Sequence, residues 1–178
     1  MKRVTLLLCL LLPTVALAAW KGPDGQPIAD GESRRSVGDF GASLVITPDE
    51  KKFQREWDTQ PEPPSLRTTD KVRVGQSVSA MVLFHGCRAD QAGHCNVVAR
   101  YFLLRPGGQR EAAGDGPVWT QAPLPEGRIQ LGQSNPTMAF DGNDAPGEYT
   151  LIAEVEDKVA GYTLKLAQTL HLSKDAGR

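Results

Sequence analysis

The strongest constraint on this chain is a stretch near its C-terminus, residues 144–172, that alternates apolar and polar side chains with a period of two. Between about Glu148 and Asp157, Tyr149, Leu151, Ala153 and Val155 fall on one side and Thr150, Glu154 and Glu156 on the other, with Ile152 the one exception. A second run places Tyr162, Leu164, Leu166, Leu170 and Leu172 on one side, interrupted by Gln168, and Thr163, Lys165, Thr169 and His171 on the other. A helix would scatter these residues around its circumference, whereas a strand with one buried and one wet face sorts them in this way. The connection Lys158–Gly161 is short, so the two strands are expected to pair as an antiparallel hairpin.

The same period recurs upstream. Lys71–Val74 reads as a short strand followed by a tight turn at Gly75-Gln76, after which Val78, Ala80, Val82 and Phe84 alternate with Ser77, Ser79, Met81 and Leu83. Residues 96–105 are apolar on both faces, the pattern of a central strand covered on both sides. Thr137–Phe140 is a further strand, and 109–135, rich in Gly, Pro and Gln, carries only weak edge-strand signals at Val118-Trp119 and Arg128–Leu131. Toward the N-terminus, Gly41–Thr47 reads as a short buried strand. Thr47-Pro-Asp-Glu50 then opens a helix with Thr47 as the cap, Pro48 in the first helical position and Glu50 closing a capping box. Phe53 and Trp57 supply its single apolar stripe, Asp58 ends it, and Thr59–Pro64 continues as an extended proline-rich linker.

The first residues are a targeting segment. Lys2 and Arg3 precede an apolar run from Val4 to Leu12, Pro13 breaks it, and Ala16-Leu-Ala18 supplies the small residues of a cleavage site. The run falls short of the roughly 20 apolar residues a spanning helix needs. Cys9 lacks the small residues that precede a lipid-modified cysteine, which argues against a lipoprotein. Cleavage after Ala18 leaves 160 of the 178 residues, enough for one domain with a real core. The expected organisation is a signal peptide over 1–18, an N-terminal segment over 19–64 with one strand and one short helix, a β-domain over 65–173 and a disordered tail over 174–178. Residues 19–40, rich in Gly, Asp, Ser and charge, are expected to be partly ordered, with a turn at Gly22–Gly25; Trp20 either docks on the body or lies in solvent.

About seven strands at short spacing with turn signals between them define an all-β antiparallel sandwich preceded by one short helix. Within it, Asp144-Ala-Pro-Gly-Glu-Tyr149 resembles the tyrosine corner of immunoglobulin-like domains. That resemblance implies an immunoglobulin-like β-sandwich over about 71–172, with the Tyr149 hydroxyl tying the start of its strand to upstream backbone. The inter-sheet disulfide of that family has no counterpart here, because Cys87 and Cys95 bracket a single loop. The chain also resembles exported proteins of Gram-negative bacteria, which implies a compartment but no activity.

Composition narrows the function by exclusion. The leader carries two of the 20 basic residues, leaving 18 against 21 acidic ones and no basic block, so nucleic acid is a poor partner. No cationic amphipathic helix points to a membrane surface, and no membrane insertion is expected after cleavage. The two remaining cysteines, Cys87 and Cys95, are expected to form a disulfide in an oxidising periplasmic or secreted setting. His85-Gly-Cys-Arg-Ala-Asp-Gln-Ala-Gly-His-Cys95 also admits a metal reading through His85 and His94, with Met81, Asp90 or Met138 as helpers for copper or zinc, although its spacing differs from zinc-finger patterns. Only three histidines are present, no Gly-x-Ser-x-Gly elbow occurs, and Asp141–Asp144 departs from the calcium-loop pattern at Ala145. The sequence therefore points to an exported non-enzymatic binding or structural module with no cofactor and a protein partner in the cell envelope; the alternative is a periplasmic copper-handling protein.

Overall fold

The computed structural model describes residues 20, 26, 28–60, 65–125 and 128–174. The expected leader, the turn at 22–25, most of the proline-rich linker and the tail beyond 174 lie outside the described residues. In chain order the elements are β1 (Arg34–Val37), β2 (Phe40–Thr47), α1 (Glu50–Thr59), β3 (Lys71–Arg73), β4 (Ser77–His85), β5 (Val97–Leu104), β6 (Arg110–Trp119), β7 (Gln130–Leu131), β8 (Thr137–Ala139), β9 (Gly147–Asp157) and β10 (Tyr162–Ser173).

These strands form two sheets. One has the order β1-β2-β4, with both β7 and β8 pairing on the far side of β4; the other has the order β3-β10-β9-β5-β6. The alternating hairpin is the spine of the second sheet, with Tyr162 opposite Asp157 and Leu172 opposite Gly147. Facing side chains from both sheets meet in one buried cluster. Phe40, Leu44 and Ile46 of β2 and Val82 and Phe84 of β4 pack with Tyr101 of β5, Leu151 and Val155 of β9, and Leu166 and Leu170 of β10. Burying so many large apolar side chains from alternating strand positions is what commits the chain to two facing layers.

Several elements depart from the sequence reading. The second sheet is mixed, because β3 runs parallel to β10. The chain leaves the first sheet through α1 and reaches β10 in its own direction, stitched on the way by Thr69 N–H to Ile46 O and His171 N–H to Asp70 O. Residues 110–119 form one ten-residue edge strand where only Val118-Trp119 was expected. Gly114 and Gly116 leave room in it for Pro136 and Ser134, which lie where their side chains would go. β1 is an added strand in 19–40, where Arg34, Arg35 and Ser36 show no apolar alternation and backbone pairing with β2 supplies the order. Among the described residues eight strands follow residue 65, with β7 and β8 each pairing with β4, where about seven were expected.

The helix is capped by Asp49, whose side chain accepts the Lys52 N–H at 2.9 Å, and not by Thr47. Thr47 is the last residue of β2, and its hydroxyl accepts the Asp49 N–H at 3.2 Å, so the cap shifts two residues onward. Helix α1 lies on the outer face of the first sheet, where Phe53 is buried with Met81 and Leu131 among Val45, Trp57, Leu66 and Leu83. Both lateral seams between the sheets are bridged by backbone hydrogen bonds: Ala167 N–H to Glu32 O at 2.7 Å on one side, and Gln133 N–H to Val118 O at 3.0 Å on the other.

Candidate functional site

The two outer faces of the molecule are unequal. The outer face of the first sheet is covered by α1. On the second sheet, Val98, Phe102 and Leu104 of β5 and Ile152 of β9 point away from the core and remain half-buried, while Arg100 is exposed. The expectation that both faces of this strand are covered is thus corrected: its second apolar face meets solvent, since α1 packs on the other sheet.

Register assembles these residues into rows. Phe102, Ile152 and Ala167 lie side by side across β5, β9 and β10, extended by exposed Ala112 on β6. The adjacent row is Arg100, Glu154 and Lys165. Glu154 receives Arg100 at 2.9 Å and Arg110 at 3.1 Å, and the Arg110 guanidinium sits 3.7 Å from the centroid of the Phe102 ring. Exposed ion pairs of this kind add little to stability. Their effect is positional: the Glu154 carboxylate keeps both guanidinium groups on this face, and the Phe102 ring holds that of Arg110. Beside them opens a cleft of about 310 Å³ lined by Val98, Arg100, Asp115, Glu154, Glu156, Lys158 and Thr163, among others. The surface offers apolar contact bordered by charges of both signs.

The disulfide-closed loop lies at one end of the molecule. Cys87 and Cys95 are bonded, with their Cα atoms 5.9 Å apart. Inside the loop, the Asp90 carboxylate accepts the backbone N–H groups of His94 and Ala92 at 3.0 and 2.9 Å. These bonds, His94 foremost, hold the Asp90 carboxyl below its ordinary range. The loop is anchored to the hairpin by Asp157, whose wholly buried carboxylate accepts from Arg88 N–H at 2.8 Å, Val159 N–H at 3.0 Å and Ala160 N–H at 3.1 Å. The period-two pattern that places Tyr149 to Val155 inward puts Asp157 on the same side and was the one sequence signal for this anchor. Replacing both cysteines with serine is expected to cost about 2–3 kcal/mol, read as a lower urea midpoint, because the closed loop is short.

The histidines are placed in different surroundings. His94 is exposed on the loop. His85 ends β4, is 8% exposed, and meets the Trp20 indole edge-on at 4.8 Å between ring centroids. Trp20, whose docking the sequence left open, is 5% exposed. Burial lowers the pKa of His85, with the Asp39 backbone and carboxylate pulling the other way. Among the described residues no group of three or more His, Cys, Asp or Glu is arranged to hold a metal ion, and the disulfide occupies both Cys87 and Cys95.

Tyr149 donates its hydroxyl to Ala145 O at 2.9 Å, and its ring packs edge-on against Phe140 at 5.3 Å. Arg105 clasps Glu111 through two nitrogens at 2.9 Å and pairs with Asp144; Glu111 foremost, then Asp144, hold the guanidinium above its usual range, and Arg105 holds the Asp144 carboxyl below its own. Gln168, the polar residue among inward-facing leucines, borders a second cleft of about 230 Å³ with Val45, Ile46, Thr68, Thr69 and Asp70. Among the described residues no helix is long and apolar enough to cross a membrane.

Among the described residues, the class this fold defines is a largely β protein of two sheets with one helix and one loop-closing disulfide. No family model matches the chain, and no curated protein matches it. Among solved structures it is similar to the CARDB domain of a Pyrococcus furiosus protein in complex with di-metal ions, at 10% identity over 83% of this chain and 100% of that one, with a TM-score of 0.42. An immunoglobulin-like protein of Pseudomonas aeruginosa shows 15% identity over 79% of this chain and 96% of that one, with a TM-score of 0.33. A superoxide reductase of Ignicoccus hospitalis shows 13% identity over 72% and 95% of the two chains, with a TM-score of 0.39. Likenesses this distant carry no activity across to this chain.

Proposed function

We propose that this chain is an exported, non-enzymatic binding module built on an immunoglobulin-like β-sandwich, and that its partner is a protein of the cell envelope. The observation that carries the reading is the inequality of the outer faces: α1 covers one, while the other leaves Phe102 and Ile152 half-exposed in a row bordered by Arg100, Glu154 and Lys165. Apolar side chains aligned on an open sheet and rimmed by paired charges match the anatomy of protein contact surfaces. Export rests on the leader over 1–18 and on the Cys87–Cys95 disulfide, which suits an oxidising compartment.

Site-specific photocrosslinking in cells expressing the full chain tests both halves of the proposal. A photoreactive phenylalanine at Ile152 or Ala167 is expected to give one and the same protein adduct, weakened by Phe102→Lys, while the probe at exposed Lys51 on α1 gives none. Adducts from Lys51 alone, or equal yields from all three positions, would remove the open face as the binding surface. Recovery of the adduct in a form that does not begin at Ala19 would remove the exported reading.

A further inference from the structure

We propose that His85 is a proton-sensitive clamp on Trp20: the neutral imidazole holds the indole in its seat, and protonation drives the indole out. A Cβ on Gly41 would lie 2.3 Å from His85 Nε2 and 2.8 Å from Trp20 Nε1, so only glycine lets both rings lie over this part of β2. His85 Nε2 is buried without a hydrogen-bond partner among the described residues. A neutral imidazole tolerates this, because one of its nitrogens carries no hydrogen. The imidazolium carries a hydrogen on both nitrogens, so protonation places a charged N–H where no acceptor stands.

The groups around the ring decide which way this resolves. From β2, Gly41 presents no side chain; from the N-terminal segment, Trp20 presents its indole; from the turn between β1 and β2, Asp39 presents a backbone oxygen and a carboxylate. Attraction between an imidazolium and the indole, together with Asp39, favours the charged ring in place. Burial opposes it and is the larger effect, since it lowers the pKa of His85 from its ordinary 6.5 despite Asp39. Folding therefore favours the neutral ring: the seated arrangement is at full strength above that ordinary value and weakens as pH falls below it toward the lower, seated-state value. Trp20 is the part that yields, because its indole N–H reaches Arg35 O only at a long 3.4 Å and its main chain is tied by the single described bond from Ile28 N–H to Trp20 O at 2.8 Å.

NMR on the full chain, titrated from about pH 8 to about pH 5, tests the clamp by following the His85 ring Cε1–H and the Trp20 indole N–H together. The indole resonance is expected to move to the position of a solvent-exposed indole with a midpoint that coincides with that of His85 and lies below its ordinary value. In His85→Phe, the indole stays seated over the whole range. In Trp20→Ala, solvent reaches the imidazole and its midpoint rises toward the ordinary value. An indole that stays put while His85 titrates, a His85 midpoint above the ordinary value, or an unchanged indole transition in His85→Phe overturns the proposal. Should His85→Phe fail to fold, the wild-type midpoints and the Trp20→Ala shift still decide it.

Discussion

Replacing Gly86 with alanine is expected to destabilise the fold by about 3 kcal/mol or more, placing it among the large single-residue effects. Two costs add at this position. Gly86 has φ +70°, where a Cβ collides with its own backbone and the strain is about 1–2 kcal/mol. The new Cβ would also sit 1.8 Å from the backbone oxygen of Asp39, so the turn between β1 and β2 must move away from the disulfide loop. Gly93 separates the two costs. It lies in the same loop at φ +85° with nothing within 4 Å of its would-be Cβ, so Gly93→Ala should show the strain alone, about 1 kcal/mol. Urea unfolding of both variants measures the difference. Equal losses from the two would show that the Asp39 contact yields at little cost.

Asp157→Ala is expected to cost about 3 kcal/mol, because three backbone N–H groups lose one buried charged acceptor. Asp157→Asn should recover only part of this, since an amide offers one oxygen where the carboxylate presents two and turns a donor toward one of the N–H groups. The loss has a signature in hydrogen exchange. The amides of Arg88, Val159 and Ala160 should exchange faster, while Gly161, which donates to the backbone oxygen of Asp157 at 2.8 Å, changes least. Unchanged protection at Arg88 would mean that the disulfide alone holds the loop, and that Asp157 serves only the turn at 158–161.

The core and the surface differ in how far they can be read from sequence. The inward sides of β4, β9 and β10 are written into the chain as alternation, since burial on one face selects apolar residues at every second position. Residues 110–119 were hidden because an edge strand that carries Gly114, Gly116 and Pro117 shares its composition with a loop. The candidate surface was half-legible. Two apolar faces on residues 96–105 marked the strand, but apolar side chains toward a covering layer and toward a partner look alike in sequence. His85 and His94, nine positions apart, are neighbours in sequence, yet one is enclosed by Trp20 and the other faces solvent.

Features that depend on local spacing are legible in the chain: the alternating hairpin at 144–172, the Phe53 and Trp57 stripe of α1, and the pairing of the two cysteines beyond the expected leader. Which sheet α1 covers, and which face is left open, emerges from the packing of the folded chain. That packing also decided that Asp157 is a buried anchor and not a surface turn residue, and that Trp20 packs against His85 across Gly41. Each of these depends on groups brought together from distant parts of the chain, and neither the period of a strand nor the chemistry of a turn encodes which distant neighbour arrives.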